Sequence, residues 1–169
     1  MSNSFKMFIF NTLNITKAHL ATFLYVGIAL LSLIVGIWVY KLNQYDFITL
    51  DDHKYSLASL KGDYVVINYF AEWCAPCLRE LPELSAFNQS KGENVHLFAI
   101  SYDNVSAEKL NALKRKYNID FPLIAELKGE FPFEAPSYLP ATFVIRPDGS
   151  LAGQLLGEQT EENLHEVTQ

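Results

Sequence analysis

The stretch Val65-Val66-Ile67-Asn68-Tyr69-Phe70-Ala71-Glu72-Trp73-Cys74-Ala75-Pro76-Cys77 holds both cysteines of this 169-residue chain, together with the local signals that place them. Val65 to Phe70 is rich in β-branched and aromatic residues and almost unbroken in apolarity, the pattern of a central strand covered on both faces. Beyond Cys77, the residues Leu78, Leu81, Leu84, Ser85 and Phe87 recur at roughly helical spacing. Pro76 suits the first turn of that helix, where its missing N–H costs nothing. Cys74 therefore falls at a helix N-terminus. Unpaired backbone N–H groups and the positive end of the helix dipole favour an anion there. The Cys74 thiol pKa is expected to fall from about 8.5 toward about 7 or lower.

Cys77 lies three residues on, close enough for a disulfide, one turn deeper and shielded by Ala75 and Pro76. The expected chemistry is attack of the Cys74 thiolate on a partner disulfide, followed by resolution of the mixed disulfide by Cys77. No cofactor is required beyond the redox-active pair itself. Ala75-Pro76 offers neither a cation nor a side-chain donor to the thiolate, and a less stabilised thiolate goes with a more stable disulfide, hence with a reductant. Arg79 is the one nearby residue able to add positive charge. The competing reading of C-x-x-C is half of a zinc site, which needs four ligands. No second cysteine pair exists, and His53, His96 and His165 are scattered singly, so no metal site is assigned.

Phe70-Ala71-Glu72-Trp73-Cys74-Ala75-Pro76-Cys77 resembles the active-site segment of the thioredoxin fold, and Leu139-Pro140-Ala141-Thr142-Phe143-Val144-Ile145 resembles its second signature, a proline before a strand. The subfamily resembled is the membrane-anchored TlpA/ResA-like group. Asn68 stands where cytoplasmic thioredoxins keep a buried aspartate, Cys77-Leu78-Arg79-Glu80-Leu81-Pro82 matches a C-x-x-E-x-P continuation, and Phe47 to Leu57 resembles an extra N-terminal hairpin. The resemblance covers residues 46 to about 165. It implies an α/β fold, a central mixed sheet flanked by helices with that hairpin added, preceded by one transmembrane helix. It also implies a cis Pro140 facing Cys74, a Leu139 backbone that pairs with the substrate peptide, and a Glu80 that tunes the cysteine pKa values. Read without the resemblance, Glu80 is a solvated helix residue. Trp73 is either a packing aromatic or part of the substrate surface, and Glu72 is surface charge.

Leu20 to Tyr40 contains no charged residue over 21 positions, enough for about 30 Å of helix and one bilayer crossing. The residues after it, Trp38-Val39-Tyr40-Lys41-Leu42, offer no small-residue cleavage site. Lys6 and Lys17 precede the segment and no acid occurs before Asp46, so the bias places the N-terminus in the cytoplasm. The expected organisation is a cytoplasmic segment 1–19, an anchor 20–40 in the lipid bilayer of a bacterial cytoplasmic (inner) membrane, a linker 41–45 and a periplasmic domain 46–169. Of 13 basic and 19 acidic residues, three basic ones precede residue 42, which leaves the domain at a net −9. Nucleic acid is excluded as a partner on charge. The remaining partners are protein disulfides and a membrane-embedded thiol electron donor.

Further strands are predicted over Val95–Tyr102, Phe121–Ile124, Ala141–Arg146 and Leu151–Leu156, and helices over Ser106–Tyr117 and from a Thr160 cap through Val167. Pro82 is expected to bend the first helix. The proline-broken segment Phe131 to Tyr138 cannot hold a full helix. It is either a loop with its aromatics packed inward or an apolar lip beside Leu139-Pro140. The leading function is a protein-disulfide reductase, possible in cytochrome c maturation. Its alternatives are a redoxin-type peroxidase, which wants a threonine-containing motif absent around Cys74, a copper-binding module, which wants C-x-x-x-C, and a non-catalytic chaperone.

Overall fold

Nineteen uncharged, mostly apolar residues form helix α1 (Thr22–Tyr40), long and apolar enough to cross a membrane. The chain divides into two units between Gln44 and Tyr45, and the helix belongs to the first. The computed structural model describes residues 22–40 and 44–169, so segment 1–19, the first two residues of the expected anchor and linker residues 41–43 lie outside the described residues.

In the second unit the chain runs through β1 (Phe47–Thr49), β2 (Lys54–Tyr55), β3 (Tyr64–Phe70), α2 (Ala75–Ser90), β4 (Val95–Ser101), α3 (Ala107–Lys116), β5 (Leu123–Leu127), β6 (Ala141–Ile145), β7 (Leu151–Leu156) and α4 (Glu161–Val167). One seven-stranded sheet has the order β2-β1-β5-β4-β3-β6-β7. β3 is parallel to β4 and β4 to β5, whereas β6 and β7 close the sheet antiparallel. This is the thioredoxin-like arrangement, with the β1–β2 hairpin added on the outer edge of β5.

Because side chains alternate across a strand, β3 feeds two cores. Val66 and Phe70 join Leu81, Leu84 and Phe87 of α2, Leu110 and Leu113 of α3, Leu164 of α4 and both cysteines. Val65, Ile67 and Tyr69 join Phe47, Phe98, Phe143 and Ile145 on the other side. Burying each such side chain contributes roughly 1.5–3 kcal/mol. Helix ends follow the sequence signals: the Ser106 and Thr160 hydroxyls accept from the N–H groups of Lys109 and Asn163.

Two strands have boundaries that differ from expectation by two residues or more. β5 starts at Leu123, two residues late, and runs on to Leu127 because β1 pairs along it. β2 stops at Tyr55, since Ser56 instead opens a turn, its carbonyl accepting from Ser59 and Leu60 and its hydroxyl from Ala58. α2 is a single helix that continues through Pro82, whose ring sits on the exposed side. Residues 128–140 contain no helix. Phe131 stacks on Phe133 at 5.1 Å and Phe133 on Phe143 at 3.9 Å, so the two phenylalanines of this loop pack into the second core and form no lip, while Tyr138 is exposed.

Candidate active site

β3 delivers the chain to one end of the sheet, and the next turn sets the first cysteine. The Cys74 N–H donates to the Ala71 carbonyl at 3.1 Å, and Cys74 becomes the N-cap of α2 with extended backbone. Its sulfur accepts from the Cys77 N–H at 3.3 Å. A sulfur in that position occupies the place where a helix start holds an anion. The two cysteines form a disulfide with their Cα atoms 5.3 Å apart. Cys74 is 5% exposed and Cys77 0%, so the first sulfur is the one nearer solvent.

One turn along α2, Glu80 is only 1% exposed. Its Oε1 accepts from Asn68 Nδ2 at 2.8 Å and its Oε2 from the Gln159 backbone N–H at 3.0 Å. The same Asn68 amide nitrogen donates to Thr142 Oγ1 at 3.0 Å. β3 and the turn before α4 thus meet the buried carboxyl carried by α2, and Thr142 of β6 holds the Asn68 amide in place. Burial pushes the Glu80 carboxyl up to about 7, against the two N–H donors that favour its charge and with the nearby Glu158 carboxylate adding to the rise. Glu80 is therefore not the solvated helix residue that its position alone predicts. As the residue three after Cys77, it shares a helix face with that cysteine.

Arg79 points away from this network and pairs with Glu158 at the surface. Its charge is committed to a carboxylate and not to the thiolate. Trp73 is 67% exposed, and its indole N–H donates to Asp103 Oδ2 at 2.8 Å. It is a surface aromatic, pinned at one edge. Glu72 bridges Lys109 at 2.6 Å and Lys116 at 3.0 Å, and these ammonium donors hold its carboxyl below the usual range. A cleft of about 320 Å³ lies between Glu72, Trp73, Asp103, Val105 and α3.

The Leu139–Pro140 peptide bond is cis. Since Tyr69 is opposite Ala141 in the β3–β6 ladder, Pro140 lies beside the end of β3 from which the cysteine loop departs. Leu139 packs against both cores, including the one that contains the cysteines. The Pro140 carbonyl accepts from Gly157 N–H at 3.0 Å, and Gly157 takes φ +83°, a conformation that favours glycine. Sequence reasoning singled out Asn68 and Glu80 separately and missed both their hydrogen bond and the contributions of Thr142, Gln159 and Asp103. A signal did exist for Thr142: like Asn68 in β3, it is a lone polar residue inside an apolar strand. Among the described residues no group of three His, Cys, Asp or Glu side chains is arranged to hold a metal ion.

A thioredoxin-like sheet with a vicinal disulfide capping the helix after its central strand defines a thiol-disulfide oxidoreductase. Residues 40–154 match the AhpC/TSA family. The chain is 31% identical over 122 residues to thiol-disulfide oxidoreductase ResA of Bacillus thuringiensis subsp. konkukian, covering 69% of this chain and 68% of that one. Among solved structures, StoA from Bacillus subtilis superposes with a TM-score of 0.64 at 23% identity, covering 74% of this chain and 96% of that chain. A DsbF homologue from Corynebacterium diphtheriae gives 0.60 at 25% identity, covering 73% and 83%. The chain belongs to the AhpC/TSA family, as a ResA/TlpA-like member.

Proposed function

We propose that this protein is a protein-disulfide reductase anchored by residues 20–40 in a bacterial cytoplasmic membrane, single-pass, with residues 46–169 on the extracytoplasmic side. The observation that carries the reading is the asymmetry of the pair: Cys74 caps the helix and is nearer solvent, while Cys77 is fully buried beside Glu80. The Cys74 thiolate attacks one sulfur of a substrate disulfide, forming a mixed disulfide and releasing one substrate thiolate. Cys77 loses its proton and attacks Cys74 Sγ, releasing the second substrate thiolate and closing the Cys74–Cys77 disulfide. Two electrons pass to the substrate, and a membrane thiol donor returns them.

In this reading Glu80 is the pKa-tuning group and the acceptor for the Cys77 proton, since a carboxyl near 7 takes and gives a proton at neutral pH. Trp73, Leu139 and Pro140 form the substrate surface around Cys74. Apocytochrome c is one candidate substrate. Direction rests on Ala75-Pro76, which places no cation or donor side chain against the thiolate, and on Arg79, which is occupied by Glu158. The test is Cys77→Ala in the native membrane. Covalent Cys74 adducts with thiol partners are expected to accumulate on non-reducing gels; retained turnover with no adducts would refute the dithiol mechanism and favour a holding chaperone.

A further inference from the structure

The chain enters the Tyr45–Gln169 unit at the same end of the sheet as the dithiol. β3, β4 and β5 are parallel, so Phe70, Ser101 and Leu127 lie at one end, and β1 runs antiparallel with Phe47 opposite Leu127. In the strand order β1 stands three places from β3, about 14 Å at the usual spacing between strands. The entry is firmly fixed. Asp46 N–H donates to the Tyr55 carbonyl at 2.8 Å, its carbonyl accepts from Lys128 and Gly129 N–H at 2.7 and 2.8 Å, and its carboxylate accepts from Leu57 N–H at 2.7 Å. No further chain is available as slack beyond Asp46.

On the other side, the apolar helix ends at Tyr40, and four residues, 41–44, separate it from Tyr45. Covalent geometry limits an extended chain to about 3.6 Å per residue, so Tyr45 can be no more than about 18 Å from Tyr40. Entry at the opposite end of the sheet would have allowed the seven residues of β3, roughly 23 Å, in addition. The short connection and the near-side entry both restrict the reach of Cys74.

We propose that this dithiol acts on disulfides presented at the bilayer surface, within about 40 Å of it, so that its substrates are membrane-anchored or membrane-emerging polypeptides. The same reach covers a thiol donor embedded in the membrane, so one tether serves both halves of the redox cycle. This inference rests on the anchored-reductase reading above. Effective concentration is the physical lever: a target within the tether radius meets the dithiol as an intramolecular partner, and one beyond it does not.

The experiment uses the full-length chain, reduced and reconstituted in lipid vesicles. Three probes carry the same short disulfide peptide: coupled directly to a lipid headgroup, coupled through a polyproline spacer of about 30 residues spanning about 90 Å, and free in solution. Direct-coupled peptide is expected to be reduced about twofold faster than spacer-coupled peptide at equal surface density, because a pivoting spacer of about 90 Å holds its end within about 40 Å of the surface for somewhat under half of its orientations. Inserting about 40 Gly/Ser residues between Gln44 and Tyr45 is expected to bring the two rates to equality within error, with the free-peptide rate unchanged. Equal rates on the two lipid-coupled probes in the native chain, or a ratio that survives the insertion, would overturn the reach inference alone. Failure to reduce even the free peptide would overturn the reductase reading, and the inference with it.

Discussion

The two faces of the sheet are built to different rules. On the face covered by α2, α3 and α4, the core contains a disulfide, and beneath it Asn68, Glu80 and Thr142 form a buried polar network. The opposite face is filled by aromatic rings: Phe47 meets Phe98 edge-on at 4.9 Å, Tyr55 meets Phe98 at 4.8 Å, and Phe133 lies flat on Phe143. Stability and chemistry are thus separated across a single layer of strands. A buried carboxyl is costly, and it persists on the first face because each oxygen has an N–H donor. The second face bears no such cost and supplies rigidity to β3 and β6, on which Asn68 and Thr142 are mounted.

That contrast can be broken most sharply at Cys74. Cys74→Ser is expected to abolish turnover of a disulfide substrate to the uncatalysed background, while circular dichroism and the denaturation midpoint stay close to those of the reduced parent. Next in size, Phe143→Ala removes one ring from the aromatic stack and is expected to destabilise the domain by about 3–5 kcal/mol in urea denaturation. Its Cys74–Cys77 reduction potential should remain that of the parent, because the lesion lies on the opposite face. A large shift in potential would show that the two faces are coupled.

Glu80 gives the third effect, with a defined sign. Its folded-state pKa, about 7, is above the ordinary carboxyl value, so the native protein binds the proton more tightly than the unfolded chain does. Stability is therefore greatest below about pH 4.5 as far as this group is concerned, and it is lost as pH rises toward 7, by up to about 3 kcal/mol. Glu80→Gln is expected to remove that slope in denaturation curves recorded between those pH values. An unchanged slope would show that Glu80 is not its source. The smallest effect belongs to Arg79→Ala, which breaks only a solvent-exposed pair with Glu158 and is expected to leave the denaturation midpoint within error.

The architecture was legible in the sequence where periodicity and capping agree. The apolar run of β3, the leucine spacing of α2 and the Ser106 and Thr160 caps led to elements found within a residue or two of their predicted ends. β5 was misplaced because its length is set by pairing with β1, a partner more than seventy residues earlier. At the site, the cysteines and the Leu139–Pro140 turn could be read from local motifs. The burial of Glu80 could not, since helix position alone says "exposed" and it takes Asn68 of β3 and the Gln159 turn, both distant in sequence, to enclose the carboxyl. Trp73 was ambiguous for the same reason: exposure of one indole depends on the loop holding Asp103.

The hairpin beside β5 has a consequence for how this protein meets other chains. Without β1 and β2, the outer side of β5 would be an open edge, ready to pair with any extended segment. With them, the border on that side is a strand of two residues, one of them the exposed Lys54. Such a border offers little ladder to a foreign strand and places a charge where one would dock. Promiscuous strand exchange is discouraged there, so a thiol-disulfide oxidoreductase can meet other chains at its dithiol without being zipped into them along this edge.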